Sequence, residues 1–180
     1  MSGNAFPPRP HLTTPRLTLN ALTPADCGDY AALCRDTRRN RWWGYDYREE
    51  QPHPPEEWFL QASEEDYAAG RELGLAVRLR GRCIGEVVFT HFDGRGTAEL
   101  GCRIAAAYAG HGYGTEAFAA ALAWGLKGWD LRRAKCFREN HPSRHMLAAC
   151  MDPAGEDETY LYFEKCIQNE NDMHMDILSE

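Results

Sequence analysis

The sequence predicts an α+β fold, a mixed, mostly antiparallel central sheet flanked by helices. Three observations carry this. Strand-period segments at 73–104 follow one another with only short turns between them. Two helix-period segments precede them. One glycine-rich turn then runs from a strand straight into an Ala-rich helix, which supplies a single crossover.

Taken in order, residues 1–10 hold three prolines and read as a loose arm. Arg16 to Leu22 (RLTLNAL) alternates apolar and polar, a strand. Thr23-Pro24 reads as an N-cap followed by proline at the first helical position, opening a helix to about Arg38. Residues 41–55 (RWWGYDYREEQPHPP) are rich in aromatics and proline and read as an ordered loop. Pro55 and Glu56 open a second helix that ends near Gly70. Leu73–Leu79 and Cys83–Phe92 are strands joined by the turn Arg80-Gly81-Arg82, a hairpin. Asp93 to Gly96 signals another turn, and Ala98–Ile104 a third strand. An Ala-rich helix follows Gly114 and runs to about Lys127. Leu131–Phe137 is a strand, Asn140–Met151 a short helix and Thr159–Phe163 a last strand, giving the order βααβββαβαβ.

At 180 residues, 43% hydrophobic and 26% charged, the chain suits one soluble domain spanning 1–180. No apolar run approaches the roughly 18 residues of a membrane span. The start MSGNAFPPRPH lacks the pattern of a signal peptide. The net charge of −7 comes from the end of the chain. Residues 1–151 carry nineteen basic and eighteen acidic side chains, whereas 152–180 carry one lysine and nine acids, including a polar acidic tail at 168–180. No basic surface is implied, which speaks against nucleic acid as a partner. The seven cysteines (27, 34, 83, 102, 136, 150 and 166) are odd in number and form no CxxC. They read as free thiols in a reducing cytoplasm rather than as a disulfide framework or zinc site.

The chemistry-bearing segment is Glu99 to Glu116, ELGCRIAAAYAGHGYGTE. Gly110, Gly112 and Gly114 let the backbone turn at positive φ and let a ligand approach the chain. The first N–H groups of the following helix have no intrahelical partner and carry partial positive charge, a site for phosphate or diphosphate. Thr115 can add a hydroxyl and His111 a donor. A P-loop would need Gly-Lys-Ser/Thr, but Tyr113 follows Gly112. A Rossmann fingerprint would need a wider last glycine spacing and a parallel sheet.

The arrangement resembles motif A of the GNAT superfamily of N-acetyltransferases, Gln/Arg-x-x-Gly-x-Gly/Ala. Here it reads Ala109-Gly110-His111-Gly112-Tyr113-Gly114, with Ala109 in the Gln/Arg position. Tyr113 to Ala117 resembles the GYATEA of the ribosomal-protein-alanine acetyltransferase (RimJ/RimL-like) branch. Glu139-Asn140-His141-Pro142-Ser143-Arg144 resembles that branch's E/D-N-x-x-S-x. The resemblance covers roughly residues 12–166. It departs at Met151-Asp152, where the family often has Gly-Phe. It departs again at Leu147, where many relatives carry a tyrosine that serves as the acid.

The resemblance implies an acyl-CoA N-acyltransferase fold, splayed between the parallel strands at 98–104 and 131–137, with acetyl-CoA in the split. Pantetheine would pair with the backbone of Cys102, Arg103 and Ile104. The diphosphate would sit on Gly110, His111, Gly112, Tyr113, Gly114 and Thr115. Asn140 and Ser143 would face the arm and its thiol. No metal is implied. The reaction would move acetyl directly to a primary amine of a small molecule or a protein N-terminus. Glu99 is the first candidate base, ahead of Glu156 and Glu158, and it equally reads as a strand carboxylate paired with Arg103. Ser143 is the candidate acid, or else a hydroxyl bonding backbone. Asn140 also reads as a helix N-cap. Trp42, Trp43, Tyr45, Asp46 and Tyr47 fall where relatives form the acceptor pocket. Asp46 could hold a cationic amine, while at least one tryptophan equally reads as a core plug. A homodimer through a sheet edge or the tail is compatible with the sequence. The alternative to an enzyme is a non-catalytic acyl-CoA-binding or partner-binding module on the same fold.

Overall fold

In the computed structural model, residues 6–92, 98–129 and 133–165 are described. The turn signal at 93–96, the first residues of the strand expected from Leu131, Cys166 and the tail at 168–180 lie outside them.

The chain enters through two short strands. β1 (Leu12–Thr13) pairs antiparallel with β2 (Leu17–Asn20), so the alternating segment contributes four ladder residues and gains an edge partner. The N-terminal arm is pinned from Phe6 onward rather than loose. Arg9 pairs with Glu64 at 3.0 Å and lies 3.7 Å over the Tyr67 ring, and the Tyr67 hydroxyl donates to Pro7 O.

Thr23-Pro24 opens a 3-10 turn, Pro24–Asp26, and α1 runs over Cys27–Arg35, three residues short of the expected end. Asp26 locks this entry. Its carboxylate accepts the Thr23 N–H at 2.7 Å and the Thr23 hydroxyl at 2.8 Å, and it pairs with the guanidinium of Arg78. Burial pushes the Asp26 pKa up, but the Arg78 and Thr23 hydrogen bonds outweigh it and hold it below the ordinary value. The 41–55 loop is ordered by 3-10 turns at Asn40–Trp42 and Tyr47–Glu49. α2 spans Glu56–Ala68.

β3 (Leu73–Leu79) and β4 (Arg82–Thr90) form the expected hairpin, and β4 pairs over residues 85–90 with β5 (Glu99–Ile104). The crossover is α3 (Tyr113–Trp129), which returns the chain to β6 (Arg133–Phe137), parallel to β5. α4 (His141–Ala148) leads to a hairpin of β7 (Asp152–Glu156) and β8 (Tyr160–Glu164). The sheet order is β1-β2-β3-β4-β5-β6-β8-β7. The sequence shows one terminal strand where the structure has two. Asp-Pro-Ala-Gly-Glu lacks β-branched and aromatic residues, and every residue of it is exposed. It is an edge strand made by pairing with β8, and the register shifts between Pro153 and Gly155.

Strand alternation divides the core in two. Leu75, Val77, Val87 and Phe89 point to the α3 face, where they meet Ala117, Phe118, Ala121 and Leu122. Ala76 and Cys83 face α1 and α2, with Tyr30, Leu33 and Phe59. Phe89 and Phe118 are 0% exposed, and burying a side chain of that size contributes roughly 1.5–3 kcal/mol.

Candidate active site

Among the described residues β5 and β6 touch at a single register pair, Glu99 with Arg133, and then diverge. β6 is held on its other side by five pairs with β8, and β5 by six with β4. The split is therefore built into the ladders. Its orientation follows from one hydrogen bond: Ala105 N–H donates to Ile84 O at 2.8 Å. Antiparallel alternation then gives the Arg103 main chain to β4 and turns those of Cys102 and Ile104 toward β6. The three-residue backbone site expected at 102–104 thus narrows to Cys102 and Ile104. The Ile104 carbonyl already accepts from Arg39 Nη2 at 3.0 Å. Cys102 points its side chain at α3, with Sγ 3.7 Å from Gly114 O, and burial pushes its thiol up to about 12. This is a packing thiol.

The glycine loop follows within a few residues. Gly110 and Gly112 sit at φ +78° and +77°, the left-handed region a side chain resists. Tyr113 opens α3, and Glu116 N–H donates to Gly112 O as its first turn closes. His111 stacks on Tyr113 at 5.6 Å, and its Nδ1 lies 2.9 Å from Ala109 O. Ring and loop are thereby fixed together.

Asn140 caps α4: its Oδ1 accepts the Ser143 N–H at 3.3 Å. The N-cap reading of Asn140 is borne out, and the capping bond sets Ser143 on the first turn, half-buried. Leu147, 2% exposed, turns into the core from the same helix.

The opposite face of the split is made from distant segments. Arg103 reaches under the 41–55 loop to Glu86, with Nη2–Oε2 at 2.8 Å and Nε–Oε2 at 3.0 Å. The Tyr30 hydroxyl donates to Glu86 Oε1 at 2.8 Å, and Arg103 Nη2 lies 3.2 Å from Cys34 Sγ. Glu86 is 2% exposed. Burial opposes the Arg103 charge, but the Glu86 carboxylate outweighs it and raises the guanidinium pKa. Burial, then Glu86, raises that of Tyr30. Trp43 covers the pair, 4.5 Å from the Arg103 guanidinium and 3.3 Å from where a Gly101 Cβ would stand. Trp42 meets Phe137 at 5.1 Å, so the loop touches both sides of the split.

Glu99 does not pair with Arg103. It stands at the closed end of the split, 3.5 Å from Lys135 Nζ and 3.6 Å from His91 Nδ1, with its side chain 34% exposed. Asp46 is already partnered: it accepts the Arg48 N–H at 3.0 Å and Arg48 Nε at 2.8 Å, and those bonds hold its pKa at about 2. Tyr45 is 51% exposed. Tyr47 packs edge-on against Phe59. Glu156, on exposed β7, faces Arg138 at 3.4 Å. A cavity of about 430 Å³ opens beneath the loop, walled by Cys34, Asn40, Arg41, Tyr45 and Tyr47. Cys34 links it to the Glu86–Arg103 pair. Sequence reasoning missed Glu86 and Arg39. Glu86 carried the faintest signal, an acid inside the apolar run Ile84–Phe89.

Among the described residues, no group of three metal-ligating side chains forms and no helix is long and apolar enough to cross a membrane. No curated protein matches the sequence. Solved structures do. A GNAT-family acetyltransferase from Bacillus anthracis superposes with a TM-score of 0.70 at 22% identity, over 86% of this chain and 97% of that one. RimJ of Mycobacterium smegmatis, solved with a CoA-disulfide, gives 0.65 at 20% identity over 87% and 86%. The microcin C7 self-immunity acetyltransferase MccE, solved with acetyl-CoA and AMP, gives 0.66 at 18% identity over 86% and 94%. At such identities these likenesses show the fold. The family model of the GNAT acetyltransferase domain matches residues 16–150, three-quarters of the chain from β2 through α4, and so this protein belongs to the GNAT acetyltransferase family.

Proposed function

We propose that this protein transfers the acetyl group of acetyl-CoA directly to a primary amine. The observation that carries the reading is the split that opens beyond a single β5–β6 pair, with a positive-φ glycine loop and a helix N-terminus at its edge. The chain's membership of the GNAT family, and the CoA or acetyl-CoA held by proteins of the same fold, support it.

In this reading pantetheine lies along Cys102 and Ile104, the diphosphate rests on Gly110 to Thr115, and Asn140 and Ser143 face the thiol. The neutral amine nitrogen attacks the thioester carbon. The C–N bond forms as carbonyl electrons move onto oxygen, where a β5 N–H facing the split stabilises the charge. The amine proton passes to Glu99, directly or through water. Collapse breaks the C–S bond, and the Ser143 hydroxyl passes a proton to the leaving thiolate as it takes one up from water. The acceptor enters from the Trp43 side, over the cavity beneath the 41–55 loop. The six cysteines among the described residues are unpaired, which suits a reducing cytoplasm.

Thermal unfolding with acetyl-CoA, ATP and NAD tests the donor. A ligand at about 100 times its Kd stabilises by roughly 2.7 kcal/mol, several degrees for a domain of this size. A shift with acetyl-CoA alone is expected, and none with acetyl-CoA overturns the reading. Thiol release over a panel of amines then identifies the acceptor. The second reading, a non-catalytic acyl-CoA module, draws on aliphatic Leu147 in the acid position. Glu99→Gln and Ser143→Ala separate the two. An enzyme loses turnover by about a hundredfold or more while still binding CoA, whereas a binding module has no turnover to lose.

A further inference from the structure

We propose that Arg16, delivered from the turn between β1 and β2, binds the donor's diphosphate and supplies the cation that Ala109 omits from the glycine loop. The proposal rests on the acetyl-CoA reading above and names a further residue of the same site.

Arg16 is distant in sequence and is held against the loop and the first turn of α3 by four contacts. Its Nη1 donates to His111 O at 2.9 Å. Its guanidinium lies 4.7 Å over the Tyr113 ring. Its Nη2 stands 3.4 Å from where a Gly112 Cβ would be. Its Nε donates to Glu116 Oε2 at 2.6 Å, and its main-chain N–H to Glu116 Oε1 at 2.9 Å. Thr14 Oγ1 adds a third donor to Glu116, also at 2.6 Å.

Two consequences follow for an anion at this loop. Glu116 sits in the first turn of α3, where a carboxylate suits the helix dipole but repels a phosphate. Arg16 offsets that charge and Thr14 adds a hydrogen bond. The guanidinium then keeps one nitrogen in hand, since Nη2 makes no hydrogen bond among the described residues. The side chain is 45% exposed, open to a ligand arriving from solvent. A guanidinium held by its other two nitrogens presents Nη2 as a fixed donor to a phosphate oxygen. Gly112 leaves the space in front of it clear.

The test is calorimetry of the full chain and Arg16→Ala with three ligands: CoA, dephospho-CoA and pantetheine. CoA and dephospho-CoA share the diphosphate, and pantetheine lacks it. The expected result is an affinity loss on the order of tenfold for both nucleotide ligands and none for pantetheine. Arg16→Lys, which keeps the charge without the fork, should recover part of that loss. Raising the salt should weaken CoA binding to the wild-type chain more steeply than to Arg16→Ala. Unchanged CoA affinity in Arg16→Ala overturns the proposal. An equal loss for all three ligands also overturns it, since Arg16 would then only tie β2 to α3. A loss confined to CoA overturns it as well, because the contact would be to the 3′-phosphate. If the wild-type chain binds none of the three, the acetyl-CoA reading itself fails, and this proposal with it.

Discussion

The two halves of the candidate site are built in opposite ways. The half proposed for the donor, a strand end, a glycine loop and a helix N-terminus, lies almost entirely within residues 99–116, with Asn140 and Ser143 proposed from capped α4. The half proposed for the acceptor draws Tyr30 and Cys34 from α1, Trp43 from a loop, Glu86 from β4 and Arg103 from β5. The first is mainly a backbone device, and the second is a side-chain device around a buried ion pair. Substitution should therefore hurt the first through ligand binding and the second through folding.

The largest effect should come from Glu86. Its removal leaves the Arg103 guanidinium, 13% exposed, without its carboxylate under Trp43. Breaking a buried pair in this way costs about 3–5 kcal/mol. Glu86→Ala should show that loss in urea unfolding, and Glu86→Leu combined with Arg103→Met should regain most of it. Full stability in the single variant would mean that the acceptor half is not held by its ion pair.

A second pair on the same face responds to pH. Asp26 is 4% exposed, and its pKa is lowered in the folded chain by Arg78 and Thr23 against the effect of burial. A lowered folded pKa means that the stabilisation is present above the unfolded carboxylate value near 3.9. It is lost as pH falls through the folded value. Stability measured from pH 6 down to acid should decline in that window, and Asp26→Asn should be less stable at pH 6 with a flatter decline. An identical slope in the variant would remove Asp26 as a source.

The donor half should break differently. Gly112 holds φ +77°, and a non-glycine residue in the left-handed region costs roughly 1–2 kcal/mol. Gly112→Ala should cost that much stability or relax the loop, and in either case weaken acetyl-CoA binding on the order of tenfold. Unchanged affinity would show that the loop tolerates another backbone path, and that its glycines are turn residues alone.

The same contrast explains what was legible in the sequence. Local patterns carried the β3–β4 hairpin, the strand-to-α3 turn and the Asn140 cap, because each is decided within a few residues. Arg16 was not legible as a site residue. An arginine in RLTLNAL reads only as the polar side of a strand, and its partners His111, Tyr113 and Glu116 are brought to it by the fold. Glu86 was hidden in a β4 run that is otherwise apolar and buried. β7 was missed because Asp-Pro-Ala-Gly-Glu has no strand preference of its own. The pairing expected between Glu99 and Arg103 failed through competition. Both residues face the same side of β5, but Glu86 sits opposite Arg103 in the register and takes the guanidinium.

The smallest effect sharpens the comparison from the other side. Asp46 lies in the acceptor loop and was a candidate for holding a cationic amine. Its carboxylate already caps the Tyr47–Glu49 turn and pairs with Arg48, two residues on. The pair is open to water, where such contacts are worth little. Asp46→Ala should therefore leave stability and acetyl-CoA affinity within about twofold of wild type, and leave the acceptor KM equally unmoved. Asp46 lines the cavity beside Arg48, so a large rise in KM with cationic amines alone would make it the amine's partner, the amine having displaced Arg48 from it. No change would leave amine recognition to the other walls of the cavity, where the Tyr45 and Tyr47 rings rather than a carboxylate would meet the acceptor.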